Sequence, residues 1–158
     1  PPFEFVPEKE QLKILGELCA QIVQKPIVHV VGGVLIDSNH QILACKRASD
    51  QVMPGNWEFP GGKVDAGETQ LEALIRELDE ELGIKIETAT VIDTTEHDYG
   101  AMIVHITFYS CSFENQELNP SVHSECRWVS ATEAKSLNWL PADIGFVEHI
   151  SKIGFENL

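Results

Sequence analysis

Glu77, Glu80 and Glu81 recur at i, i+3 and i+4, which gathers three carboxylates on one side of a helix. Like charges at that spacing repel by ~0.2–0.5 kcal/mol per pair on an isolated helix. A hard divalent ion such as Mg²⁺, which prefers carboxylate and water oxygens, turns that repulsion into binding. Taken singly, the residues have ordinary readings. Three glutamates are commonly a solvated face, Arg76 a surface cation, and Gly61-Gly62 a turn. Their joint spacing argues for a built site.

The run Gly62-x5-Glu68-x7-Arg76-Glu77-Leu78-x-Glu80-Glu81-x-Gly83-Ile84 fills all nine specified places of the Nudix box over 23 residues. On these residues the chain resembles the Nudix hydrolase family, and within it the MutT-like and CTP-pyrophosphohydrolase branch, across roughly residues 29–147. The resemblance implies an α/β (α+β) Nudix fold, a mixed β-sheet sandwiched between helices, with the box as loop–helix–loop. It implies Glu77, Glu80 and Glu81 as Mg²⁺ ligands (Mn²⁺ as the alternative ion), joined by the Gly61 carbonyl. Glu77 is also implied as general base or as the group that orients the attacking water. Arg76 and Glu68 are implied to hold catalytic loop and helix in register. The family's further metal-binding glutamate, six residues before the tryptophan matching Trp128, falls here on Val122. His123, Glu125 and Glu96 are the candidates to replace it.

The same resemblance points to the substrate. Residues 43–48, Leu-Ala-Cys-Lys-Arg-Ala, followed by Trp57-Glu58-Phe59-Pro60-Gly61-Gly62-Lys63, are similar to that branch, and Arg47 and Phe59 become candidate substrate contacts. Leu140-Pro141-Ala142-Asp143 matches the segment that reads the base. An ionised Asp143 only accepts hydrogen bonds, which suits cytosine N4 or an oxidised purine with a protonated N7; a helix N-cap is its plainer role. Trp139 either stacks on the base, an interaction worth ~1–3 kcal/mol, or is a core aromatic. Arg47 is otherwise a surface cation on a strand. The activity implied is cleavage of a (deoxy)nucleoside triphosphate to the monophosphate and diphosphate, clearing 8-oxo-dGTP or acting on CTP and dCTP, a nucleotide-pool and DNA-repair role. A dinucleoside polyphosphate hydrolase is the alternative, on Tyr99 sixteen residues past Gly83. A non-catalytic nucleotide sensor is a second alternative, although such modules usually lose box carboxylates that are intact here. A decapping enzyme would want an RNA-binding surface.

These residues need elements to position them. Thr69 and Glu72 form a capping-box pair and Gly83 a stop, so the spacing predicts a helix over residues 69–82. Leu71, Leu74, Ile75, Leu78 and Leu82 share its sheet-facing side. Residues 27–36 are a β-branched buried strand, 37–40 a turn, and 41–46 a second strand. Residues 50–56 read as loop, 86–95 and 101–113 as strands, and 127–129 as a short strand. Helices are expected over 132–137 and 141–153. In front lies another helix, 7–24, with Leu12, Leu15, Leu18, Cys19 and Ile22 at helical steps and Pro26 as its stop. The expected organisation is a helical extension at 1–26 and one Nudix domain at 27–158.

Composition bounds the partners. Eleven Lys and Arg against 25 Asp and Glu leave a formal charge of −14, which disfavours a nucleic-acid polymer, whose binding rests on cations. A nucleotide still fits, with divalent ions between the two negative partners. No apolar run is long enough for a membrane span, and the opening residues lack the pattern of a secretory signal. The cysteines Cys19, Cys45, Cys111 and Cys126 are scattered, with no C-x-x-C pair. That argues against a metal cluster or redox motif, and for a reducing, cytoplasmic location. A homodimer is admitted.

Overall fold

The computed structural model describes residues 8–22, 24–114 and 116–158. In chain order the elements are α1 (Glu8–Ile22), β1 (Ile27–Leu35), β2 (Ile42–Lys46), β3 (Trp57–Glu58), β4 (Gly61–Lys63), α2 (Gln70–Leu82), β5 (Thr88–Asp98), β6 (Ile103–Ser112), β7 (Glu125–Val129), α3 (Ala131–Ser136) and α4 (Pro141–Ile153), with a closing 3₁₀ turn Phe155–Asn157. A four-stranded mixed sheet runs β4-β1-β6-β5, with β1 parallel to β6 and its other pairs antiparallel. A second sheet, β3-β2-β7, is antiparallel. The mixed architecture agrees with the sequence expectation. The division into two sheets, and the two- and three-residue strands β3 and β4, do not follow from hydrophobic period, because such short strands carry no period to read.

Strand alternation divides the core in two. From β1 and β2, Val34, Ile42 and Ala44 face one cluster, with Phe108 and the α4 residues Phe146 and Ile150. Val31, Leu35, Leu43 and Cys45 face the other, with Leu74, Leu78 and Leu82 of α2. The sheets are therefore covered by α2 on one side and α4 on the other. Each of those three fully buried leucines contributes ~1.5–3 kcal/mol. The α2 stripe is narrower than expected: Ala73 joins the three leucines, while Leu71 and Ile75 are nearly half exposed. They lie beside the buried row rather than on it.

Thr69 caps α2 by accepting from the Glu72 N–H at 3.1 Å, and Gly83 ends it in a left-handed conformation, φ 67°. The C-terminal carbonyls of α2 are met by a later loop, whose Asn119 and Ser121 N–H groups donate to Leu82 and Glu81. In α1 every described side chain from Glu8 to Ala20 is exposed, the stripe of Leu12, Leu15 and Leu18 included. No described helix is long and apolar enough to cross a membrane.

Candidate active site

The site lies where the turn between β3 and β4 meets the C-terminal half of α2. Gly61 sits at φ 150°, and a Cβ there would collide with the Val31 carbonyl; at Gly62 a Cβ would collide with the Glu77 carboxyl. Gly61 therefore lets its strand pass close to β1, and Gly62 lets the Glu77 carboxyl lie against its backbone. Glu81 Oε2 accepts the Gly61 N–H at 3.1 Å.

Arg76 organises the rest. Its Nε and Nη2 donate to both oxygens of Glu68 at 2.8 Å, and Nη2 also reaches the Lys63 carbonyl at 3.0 Å. Its Nη1 donates to Glu77 Oε1 at 2.9 Å and more loosely to Glu80 Oε2 at 3.4 Å. One planar guanidinium thus ties the loop after β4 to two glutamates of the helix, a fork geometry that lysine cannot reproduce. The hydrogen bond from Arg76 holds Glu68 down to about 2, helped by the Asp65 N–H. Glu81 moves the other way. Burial pushes its carboxyl up to about 8, opposed by His123 and the Gly61 N–H and reinforced by Glu77 and Glu58. Glu80 is largely exposed and stands at the rim.

This donor set fits a divalent ion. The Glu77 and Glu81 carboxylates lie at Gly62 and Gly61 while Glu80 stays at the rim, and Glu81 is buried among like charges, a position a cation relieves.

Beside the carboxylates opens a cavity of about 590 Å³ whose wall includes Arg47, Glu58, Phe59, Glu81, Tyr99 and Asp143. That volume suits a nucleotide-sized ligand. A shallow groove of about 660 Å³, bordered by Ile36, Phe113 and Trp128, contains no residue of the box. Arg47 pairs through Nη1 with both Glu58 oxygens, at 3.1 and 2.9 Å, and its Nε donates to the Val52 carbonyl. It is therefore part of the cavity wall rather than a free surface cation.

Two expectations about the base end change. Trp139 is buried: its ring stacks behind Phe59 at 4.9 Å and its Nε1 donates to the Ala134 carbonyl. It supports the wall from behind, while Phe59 borders the cavity. Asp143 does border the cavity and is not the helix cap. The N-cap of α4 is Leu140, with no side-chain cap bond. Burial pushes the Asp143 carboxyl far up, with Glu58 adding to the shift and the Phe59 N–H and Arg47 opposing it. Burial thus favours the neutral form of Asp143, which donates as well as accepts, whereas the ionised form only accepts.

Among the substitutes for the missing glutamate at Val122, Glu96 pairs with His105 and Glu125 with Arg127, both at exposed places. His123 is inside, its Nε2 2.9 Å from Glu58 Oε1. Glu58 is the carboxylate missed from sequence, linking Arg47 and His123 at the cavity edge. Its place directly before Phe59-Pro60-Gly61-Gly62 was the available signal. Tyr99, read only as a weak pointer to another substrate, borders the cavity and accepts the Ala142 N–H at 3.1 Å, tying the end of β5 to α4.

The NUDIX domain model matches residues 27–150. The chain is 35% identical over 106 residues to an 8-oxo-dGTP diphosphatase of Proteus vulgaris, spanning 67% of this chain and 94% of that protein. It is 32% identical over 122 residues to a CTP pyrophosphohydrolase of Escherichia coli K12, spanning 77% and 90%. Among solved structures, the MutT protein of methicillin-resistant Staphylococcus aureus 252 superposes with a TM-score of 0.67 at 38% identity, covering 83% of this chain and all of that one.

Proposed function

The chain belongs to the Nudix family, and from that premise we propose that it is a Mg²⁺-dependent hydrolase converting a nucleoside triphosphate to the monophosphate and diphosphate. The observation that carries the reading is the adjacency of two things. The carboxylates of Glu77 and Glu81 lie against the Gly61-Gly62 turn, and a nucleotide-sized cavity closed by Asp143 opens beside them. Polyphosphate at the first and base in the second is the natural placement. Glu77, Glu80 and Glu81, with the Gly61 carbonyl, would hold the metal. A bound divalent ion neutralises phosphate charge and lowers the pKa of water. Arg76 fixes Glu77 through Oε1, which leaves Oε2 for the metal or for the attacking water.

The base class follows from Asp143. A neutral carboxyl pairs best with an edge that sets a donor beside an acceptor, as cytosine does with N4–H and N3. An 8-oxopurine does the same with N7–H and O6, whereas the unoxidised guanine N7/O6 edge offers two acceptors. That pattern agrees with the activities for which the two relatives are named, one on an oxidised guanine nucleotide and one on CTP. The test is kcat/KM across canonical and oxidised triphosphates with Mg²⁺. Preference for 8-oxo-dGTP, CTP or dCTP over dGTP is expected. Preference for dinucleoside polyphosphates would move the substrate class, and binding without turnover would make the protein a sensor.

A further inference from the structure

Strand pairing brings together three residues that lie far apart in sequence. Cys45 of β2 and Cys126 of β7 are directly opposed in the antiparallel ladder, with their sulfurs 3.4 Å apart. His123 lies just before β7, and one of its ring nitrogens and both sulfurs lie within 4.8 Å of one another. Scattered cysteines had argued against a metal cluster. The fold reverses that, because a cluster is a matter of space and not of sequence spacing.

His123 supplies the second observation. Its side chain is 1% exposed, and its Nδ1 is buried with no hydrogen-bond partner among the described residues. Such a nitrogen is unfavourable unless something meets it. Its Nε2 is held by Glu58. A ligating histidine characteristically has its other nitrogen on a carboxylate in this way, which fixes the ring and raises its basicity.

We infer that Cys45, Cys126 and His123 form a Zn²⁺ site, separate from the catalytic carboxylates. Zinc bonds of ~2.3 Å to sulfur and ~2.0–2.1 Å to nitrogen, at tetrahedral angles, need sulfurs roughly 3.8 Å apart and nitrogen roughly 3.5 Å from each. With the sulfurs 3.4 Å apart and the ring nitrogen within 4.8 Å of each, that geometry is reached by shifts of at most roughly 1.3 Å. Two thiolates and an imidazole are soft and borderline ligands that favour zinc over Mg²⁺, as the all-oxygen set around Glu81 does not. Binding releases the two thiol protons and leaves a fourth position for water. Cys45 is wholly buried whereas Cys126 is half-buried, so the ion enters from the β7 side.

The test uses the full chain, reduced, with excess Mg²⁺ to occupy the carboxylates, titrated with Co²⁺ as a spectroscopic stand-in and then with Zn²⁺. The expected result is thiolate-to-cobalt charge-transfer absorption in the near ultraviolet that saturates at one equivalent and is abolished by Zn²⁺. Cys126→Ser should lose the band while melting as a folded protein. His123→Ala should weaken binding ~10–100-fold, and Cys19→Ser on α1 should leave both unchanged. Cys45→Ala is the variant at risk of misfolding, so Cys126→Ser is the deciding one. A reduced wild type with no thiolate band, or a band that survives in Cys126→Ser, overturns the site.

Discussion

Glu81→Gln should stabilise the metal-free protein, and increasingly so as pH rises above about 4.5. The folded-state carboxyl stands at about 8 against an ordinary 4.5, chiefly because it is buried. A folded state that holds a proton the unfolded chain has released gains stability at low pH. That contribution is full below about 4.5 and is lost as pH rises through about 8. Taken whole, the shift removes ~4 kcal/mol between about pH 5 and about pH 8.5. Solvent reaching the cavity mouth roughly halves it, to ~2 kcal/mol. The glutamine carbonyl still accepts the Gly61 N–H, so removal of charge is the main change. For a domain of this size ~2 kcal/mol is a rise of ~4–8 °C in Tm. The assay is a pair of melts, wild type and Glu81→Gln, in chelator at both pH values and then with Mg²⁺. Little difference is expected at about pH 5, and the variant should melt higher at about pH 8.5. Mg²⁺ should raise the wild type more than the variant, and turnover should fall by orders of magnitude. A Glu81→Gln protein that melts below wild type at alkaline pH in chelator would refute the reasoning.

Asp143→Asn keeps a donor and an acceptor where a neutral carboxyl had them, so the base ranking by kcat/KM should hold within a few-fold. Asp143→Ala should cost the preferred base ~5–150-fold relative to the others, from ~1–3 kcal/mol of lost pairing. The same Asn change should raise Tm as pH rises, because the buried carboxyl favours the folded state only while protonated. Arg76→Lys loses the fork that joins Glu68, Lys63 and Glu77, and should lower kcat or Mg²⁺ affinity ~10–100-fold, read by activity against Mg²⁺ concentration. Trp139→Ala should cost ~3–5 kcal/mol of folding free energy in urea melts, with no change in base preference.

The helix that carries the box glutamates was legible because its logic is local. Box spacing alone puts Glu77, Glu80 and Glu81 on one helix, and Thr69 and Gly83 mark where that helix starts and stops. The base end was less legible because it is assembled from β2, β3, β5 and α4. Nothing near Asp143 in sequence announces that it will be buried, with the Glu58 carboxylate adding to the rise of its carboxyl. Trp139 could not be assigned from spacing, since a stacking ring and a buttressing ring look alike until Phe59 is seen between it and the cavity. Cys45 and Cys126 are 81 residues apart and meet only through the β2–β7 register.

If the Glu77 and Glu81 carboxylates and the Gly61-Gly62 turn work as proposed, they cut a triphosphate between its α and β phosphorus atoms. Product analysis by ion-exchange chromatography, on the preferred triphosphate with Mg²⁺, decides this. The monophosphate and inorganic diphosphate should appear in equal amounts, and both should be lost in Glu77→Gln and Glu81→Gln. A nucleoside diphosphate with orthophosphate, or full activity in those two variants, would contradict the proposed chemistry.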